Sequence, residues 1–239
     1  MKARSLALVL AAAALAACSN RFEAIVDGVL LAEADSSEPV PAALAVAPKV
    51  IVRADQTVPD EQLPLPASGV VQLVIERSVP WARVETLLAI LESKQLEPVL
   101  LVGQTHRIRR VQLNDELTGA PKFTITGDAR GKFCVQTAQL PKAYCVAGAG
   151  RHVHRAFVRE TVRDVVKKWE MREAMVYVDP ATEWADVLRI VDGARTCCGS
   201  ATKVRVQVAR EAPLGADAEA GNPAILEQER AAAAAEGQQ

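Results

Sequence analysis

The chain has 239 residues, 50% of them hydrophobic and 24% charged. That is a globular balance, long enough for one large domain or two small ones, and it excludes wholesale disorder. With 28 Lys and Arg against 29 Asp and Glu the net charge is −1, so no global field recruits nucleic acid. Aromatic residues are 4% of the chain and there are 3 His. The core must therefore be Val, Leu, Ile and Ala, and little material remains for histidine-based catalysis.

The first twenty residues read as an address. Met1-Lys2-Ala3-Arg4 carries two cations, an apolar run follows from Leu6 to Ala17, and Cys18-Ser19-Asn20 comes next. Cations before a short apolar stretch make residues 1–17 a secretory signal peptide, too short to span a bilayer comfortably as a mature helix. Leu15-Ala16-Ala17-Cys18 resembles the bacterial lipobox, in which small residues fit the lipoprotein signal peptidase and the thiol receives a diacylglycerol. The resemblance implies lipidation of Cys18 and a mature chain that is anchored to a membrane rather than spanning it. Ser19 at the next position favours the outer over the inner membrane. An ordinary signal peptide with a chance Cys18 is the plainer alternative. Later apolar runs are too short to cross, and Pro41, Pro48 and Lys49 break the one from Val40 to Val52. The folded part is thus expected to face the periplasm, an oxidising compartment.

Residues 18–69 read as a tether and Pro-rich loop, with a short helix near Phe22–Leu31 and a short strand over Lys49–Arg53. Val70–Ile75 is β-rich. Trp81, Val84, Leu87, Leu88 and Leu91 recur at helical spacing, which predicts an amphipathic helix over Pro80–Glu92. Pro98–Gly103 is an apolar strand, completing β-α-β with a buried sheet, and Arg107–Leu113 is a further strand candidate. Lys122–Thr126 and Lys132–Val135 alternate around Gly127–Gly131, a hairpin signal, and Tyr144–Ala147 adds strand. Val158, Val162, Val165, Val166 and Trp169 form one stripe of a helix over Phe157–Met171. Met175–Val178 is a strand, and Asp179-Pro180 reads as the N-cap and first turn of a helix burying Trp184, Val187, Leu188, Val191 and Ala194. Lys203–Val208 is the last strand. Residues 210–239 are a low-complexity tail.

Apart from Cys18 there are four cysteines, Cys134, Cys145, Cys197 and Cys198. In an oxidising compartment an even number suggests disulfides, and four allow three connectivities. Cys134 and Cys145 flank two short strands around a turn, so they are the preferred pair. Cys197 and Cys198 are adjacent; they bond to each other as a strained vicinal pair or to the other two.

Two stretches repeat. Ile75-Glu76 is followed by Trp81-Ala82 and Val84, and Val178-Asp179 by Trp184-Ala185 and Val187, with a strand after each helix. The order from Lys122 to Val208 is hairpin, helix, strand ending at Val178-Asp179, helix opening at Trp184-Ala185-Asp186-Val187, and strand. In this it resembles the periplasmic domain of the ExbD/TolR family of biopolymer-transport proteins. Residues 70–115 match the last half of that pattern, and residues 121–209 all of it. The resemblance implies an α/β fold with a mixed sheet and two related β-α-β units, and contacts with protein partners or peptidoglycan. The family's transmembrane helix with its acidic residue is replaced here by the lipobox, so a proton-driven motor role is not implied.

His152-Val153-His154 would place two imidazoles on one face of an extended segment, but Arg151 and Arg155 flank them and no further ligand is near in sequence. Glu76 and Asp179 fit helix caps better than a catalytic pair. Arg107, Arg109 and Arg110 form a basic cluster that could meet an anionic wall polymer or lipid headgroup, or be a solvated strand edge. Gly-rich phosphate loops, Gly-x-Ser-x-Gly and His-Glu-x-x-His are absent from the sequence. The reading is a non-enzymatic envelope lipoprotein, a binding or scaffolding module with no cofactor. Its partners would be the membrane through Cys18 and peptidoglycan or ExbB/TolQ-type proteins, with a homodimer also open and nucleic acid excluded. The rival readings are a metal-dependent enzyme using His152 and His154, and a redox-active lipoprotein using Cys197 and Cys198.

Overall fold

The computed structural model describes residues 23–56, 62–120, 122–148, 150–199 and 204–209. The expected signal peptide over residues 1–17, Cys18 and the expected low-complexity tail over residues 210–239 lie outside these residues. Helices and mixed sheets make this an α/β fold. The described residues divide into two compact units, one running from residue 23 to Gln112 and including Glu183–Leu188, the other comprising Leu113–Thr182 and the described residues from Arg189 to 209.

In the first unit, β1 (Ile25–Val26) and β2 (Val29–Leu30) form a hairpin, followed by β3 (Glu38–Pro39), the single-turn α1 (Ala42–Ala45) and β4 (Lys49–Val52). Then come β5 (Gly69–Ile75), α2 (Trp81–Ser93), β6 (Leu96–Gln104) and β7 (Arg107–Val111). The sheet order is β3-β7-β6-β5-β4, with β4, β5 and β6 parallel and β7 antiparallel to β6. Val71 to Ile75 are all buried, as a central strand covered on both faces requires. On α2, Trp81, Val84, Leu87 and Leu91 are buried, and the helix packs on β6.

The expected helix near Phe22–Leu31 is instead the β1–β2 hairpin. Asp27 and Gly28 both have positive φ, 49° and 77°, the backbone that a two-residue hairpin turn demands and an Asp-Gly pair supplies. Burial alternates accordingly, with Ala24, Val26, Val29 and Leu31 packed on Val74, Val99 and Leu101. Much of the stretch read as a tether is therefore part of the first unit's core. Gly103 permits the close approach, because a Cβ there would stand 2.6 Å from that of Ala24.

In the second unit, β8 (Lys122–Gly127), β9 (Phe133–Gln136) and β10 (Tyr144–Val146) form an antiparallel meander. Next are α3 (Arg155–Trp169), β11 (Glu173–Val178), α4 (Trp184–Arg195), whose residues up to Leu188 belong to the first unit, and β12 (Arg205–Val208). The sheet order is β10-β9-β8-β11-β12, with β8, β11 and β12 parallel. Val158, Val162, Val165 and Val166 of α3 are buried as the stripe predicts. Gly193 lets α4 approach α3, since a Cβ there would meet that of Val158 at 2.8 Å. Trp184 opens α4 within the first unit's residues, its backbone N–H donating to the Val79 carbonyl at 2.8 Å and its ring stacked on Trp81 with centroids 6.3 Å apart.

Two caps expected from the sequence are absent. Asp179 Oδ1 accepts the Ala181 N–H at 2.7 Å, and its carbonyl accepts the Thr182 N–H at 2.9 Å, so Asp179-Pro180 make a turn that ends before the helix begins. Glu76 accepts the Ala54 N–H at 2.9 Å and the Ser78 hydroxyl at 3.0 Å, which ties the exit of β4 to that of β5.

Candidate functional site

The two edges of the second sheet are treated differently. At β12 the outward N–H groups are met by side chains from the loop before β8. Asp115 Oδ2 accepts from Val206 N at 3.0 Å, Asn114 Oδ1 accepts from Val208 N at 2.8 Å, and Asp115 N–H donates to the Val206 carbonyl at 2.8 Å. Arg195 locks this clamp by donating from Nε to Asp115 at 2.9 Å and from Nη2 to the Leu113 carbonyl at 3.0 Å. With its backbone groups already engaged, this edge is closed to strand pairing.

At β10 the arrangement is the reverse. Cys145 lies directly opposite Cys134 of β9, and the two are bonded, with Cα atoms 4.0 Å apart. So short a separation marks a non-hydrogen-bonded pair, which turns the N–H and C=O of Cys145 away from β9 toward the outer edge of the sheet, on which no described strand pairs. Tyr144 and Val146 therefore share the opposite face, in register with the buried Val135 and Phe133.

Beside that edge is a groove of 560 Å³, walled by β10 on one side and α3 on the other. Its size is that of a site for a small ligand or short peptide. Leu140, Tyr144 and Val146 supply the strand side. The helix supplies two adjacent rows at four-residue spacing. Phe157, Thr161, Val165 and Trp169 form the inner row, and Glu160, Asp164 and Lys168 the rim. Tyr144 is 58% exposed and Phe157 42%, large apolar surface left in water at the mouth. Lys168 Nζ stands 4.7 Å above the Trp169 ring, a cation–π contact that keeps the cation at the helix's C-terminal end.

Of the inner row, the sequence points to Val165 and Trp169, as members of the α3 stripe, but not to Phe157 and Thr161 or to the groove they line. The available signal was the pair of aromatics, Phe157 and Trp169, at the two ends of a helix in a chain poor in aromatics.

The residues singled out from sequence fall elsewhere. Of the basic cluster on β7, Arg109 donates to the Ser37 carbonyl at 2.9 Å and Arg110 pairs with Glu38 at 2.9 Å. Those two guanidiniums hold the edge strand β3, while Arg107 is exposed. His152 and His154 are both exposed, and the His154 ring lies 4.9 Å from that of Phe157. Among the described residues no group of three or more His, Cys, Asp or Glu is placed to hold a metal ion. Cys197 and Cys198, just past α4, are bonded to each other, so the connectivity is 134–145 and 197–198. No described helix is long and apolar enough to cross a membrane.

One further carboxylate is buried. Glu173, at the start of β11, is 1% exposed and accepts from the hydroxyl of Thr118 at 2.6 Å as well as from its N–H. Those bonds outweigh desolvation and, with Lys122 nearby, hold its carboxyl below the usual range. It fastens the loop that carries Asn114 and Asp115. Burial raises the Tyr177 hydroxyl above its ordinary value.

Comparison with protein-family models, with curated proteins and with solved structures finds no match.

Proposed function

We propose that this chain is a non-enzymatic binding or scaffolding module of the bacterial cell envelope, of ExbD/TolR type, held to the membrane by lipid on Cys18. The envelope address rests on the charge, apolar run and lipobox of residues 1–20. The observation that carries the binding role is the contrast between the two sheet edges. A clamp of three residues shields β12, whereas β10 offers outward backbone groups next to an exposed apolar groove. Strand addition at an exposed sheet edge, with side chains seated between strand and helix, is a standard way to capture an extended polypeptide.

The test uses the full-length protein, purified in detergent, beside its Tyr144→Glu variant. One arm measures retention by peptidoglycan sacculi and the other retention by an immobilised membrane-protein extract. The expected result is retention in at least one arm, lost in the variant. Equal retention of both proteins, or none in either arm, contradicts the reading.

A further inference from the structure

The charge order along the groove rim specifies what the groove takes and in which direction, given the reading of β10 as a docking edge. Strand β10 is parallel to β8 and hence to β11, because two antiparallel steps separate β10 from β8. Helix α3 carries the chain from the end of β10 back to the start of β11, so it runs opposite to β10. A segment added antiparallel to β10, the arrangement with the better hydrogen bonds, therefore runs alongside α3 in the same direction. Its N-terminal side meets Glu160 and Asp164, and its C-terminal side meets Lys168.

From Glu160 to Lys168 is eight residues of helix, about 12 Å at the helical rise. Four residues of strand span about 14 Å, and residues four apart point to the same face. A cation and an anion four residues apart in an extended segment thus match the two ends of the rim. The residue midway between them faces the same way, toward the inner row of Phe157, Thr161, Val165 and Trp169.

We propose that the groove binds an extended peptide segment of the pattern basic–x–aliphatic–x–acidic, added antiparallel to β10 as a sixth strand. The charges give the direction, the aliphatic residue fills the groove, and the backbone pairs with the outward groups of Cys145. The partner is thus a protein with an unstructured or edge-strand segment of that pattern.

The experiment titrates the full-length protein in detergent with two fluorescein-labelled, end-blocked peptides. One is Ser-Lys-Thr-Val-Thr-Glu-Ser; the other, Ser-Glu-Thr-Val-Thr-Lys-Ser, has the same composition with its charges exchanged. Fluorescence anisotropy is expected to show the first binding about tenfold more tightly, as two or three partly exposed charge contacts allow. The triple variant Glu160→Lys, Asp164→Lys, Lys168→Glu is expected to invert the preference. Should that variant not fold, the single changes Glu160→Gln and Lys168→Gln are each expected to narrow it. Equal affinities, a preference for the second peptide, or a preference that ignores these substitutions overturns the proposal. If neither peptide binds while retention by envelope fractions still depends on Tyr144, this proposal fails and the docking role stands. If retention is also indifferent to Tyr144, both fail. A dimer in sedimentation velocity that Tyr144→Glu dissociates would assign the groove to a second copy of the chain and likewise overturn the proposal.

Discussion

Replacing Asp115 with Ala removes the centre of the clamp on β12. The carboxylate side chain is 11% exposed and its partner Arg195 is 6% exposed, so both charges are largely out of water. Without the carboxylate, Arg195 Nε and the Val206 N–H lose their acceptor together, while Arg195 keeps its bond to the Leu113 carbonyl. Removing one member of a buried pair costs about 3–5 kcal/mol, and the surviving bond together with water entering at the edge places the expectation at the lower end, about 3 kcal/mol. With a urea m-value of about 2 kcal/mol/M, the midpoint of the second unit's unfolding falls by about 1.5 M. Far-UV circular dichroism in urea reads this directly, and Asp115→Asn is expected to recover part of the loss by retaining an acceptor for Val206. A double-mutant cycle with Arg195→Met should give a coupling above about 1 kcal/mol. A loss below about 1 kcal/mol for Asp115→Ala, or additive single effects, would refute the account of how this edge is closed.

Other parts of the structure give separate expectations. Replacing Cys134 and Cys145 together with Ser opens an 11-residue separation and should cost about 2–3 kcal/mol in chemical denaturation. The same change should weaken retention by envelope fractions, because β10 then loses its tie to β9. At the β6–β7 turn, Thr105 and His106 hold φ of 43° and 67°, so Asn-Gly there should raise stability by about 1–2 kcal/mol, seen as a higher Tm. Glu173 has a folded pKa below its ordinary value of 4.5, so its contribution is complete above that pH and is lost as the pH falls through the lower folded value. Glu173→Gln should therefore lower stability at neutral pH and flatten the acid limb of a stability-versus-pH curve below about pH 4.5, since the substituted side chain no longer titrates there.

The long periodic segments were legible because one principle dominated each of them. On α2 and α4 the 3.6-residue spacing of Trp81, Val84, Leu87, Leu91 and of Trp184, Val187, Leu188, Val191 coincides with burial, and the helices start at or within one residue of those tryptophans. The helix expected near Phe22–Leu31 is a hairpin because the Asp27-Gly28 turn, with both residues at positive φ, governs the local backbone. Asp179 and Glu76 show the same limit. An acid before a helix reads as a cap, but each carboxylate is taken by a turn or by a neighbouring strand exit. Arg109 and Arg110 read as free charge, and their acceptors, Ser37 and Glu38, lie 72 residues away in sequence. The groove was the least legible feature. Its two walls come from a three-residue strand and the flank of a helix, and neither carries a motif by itself.

The most direct test of the β10 edge as a docking surface places a photo-cross-linking amino acid at Tyr144 in cells. The same residue at Val46, which is 86% exposed in the first unit, serves as the control. The account expects a discrete higher-mass adduct on irradiation at position 144 and none at position 46. No adduct at 144, or identical adducts at both positions, would contradict it.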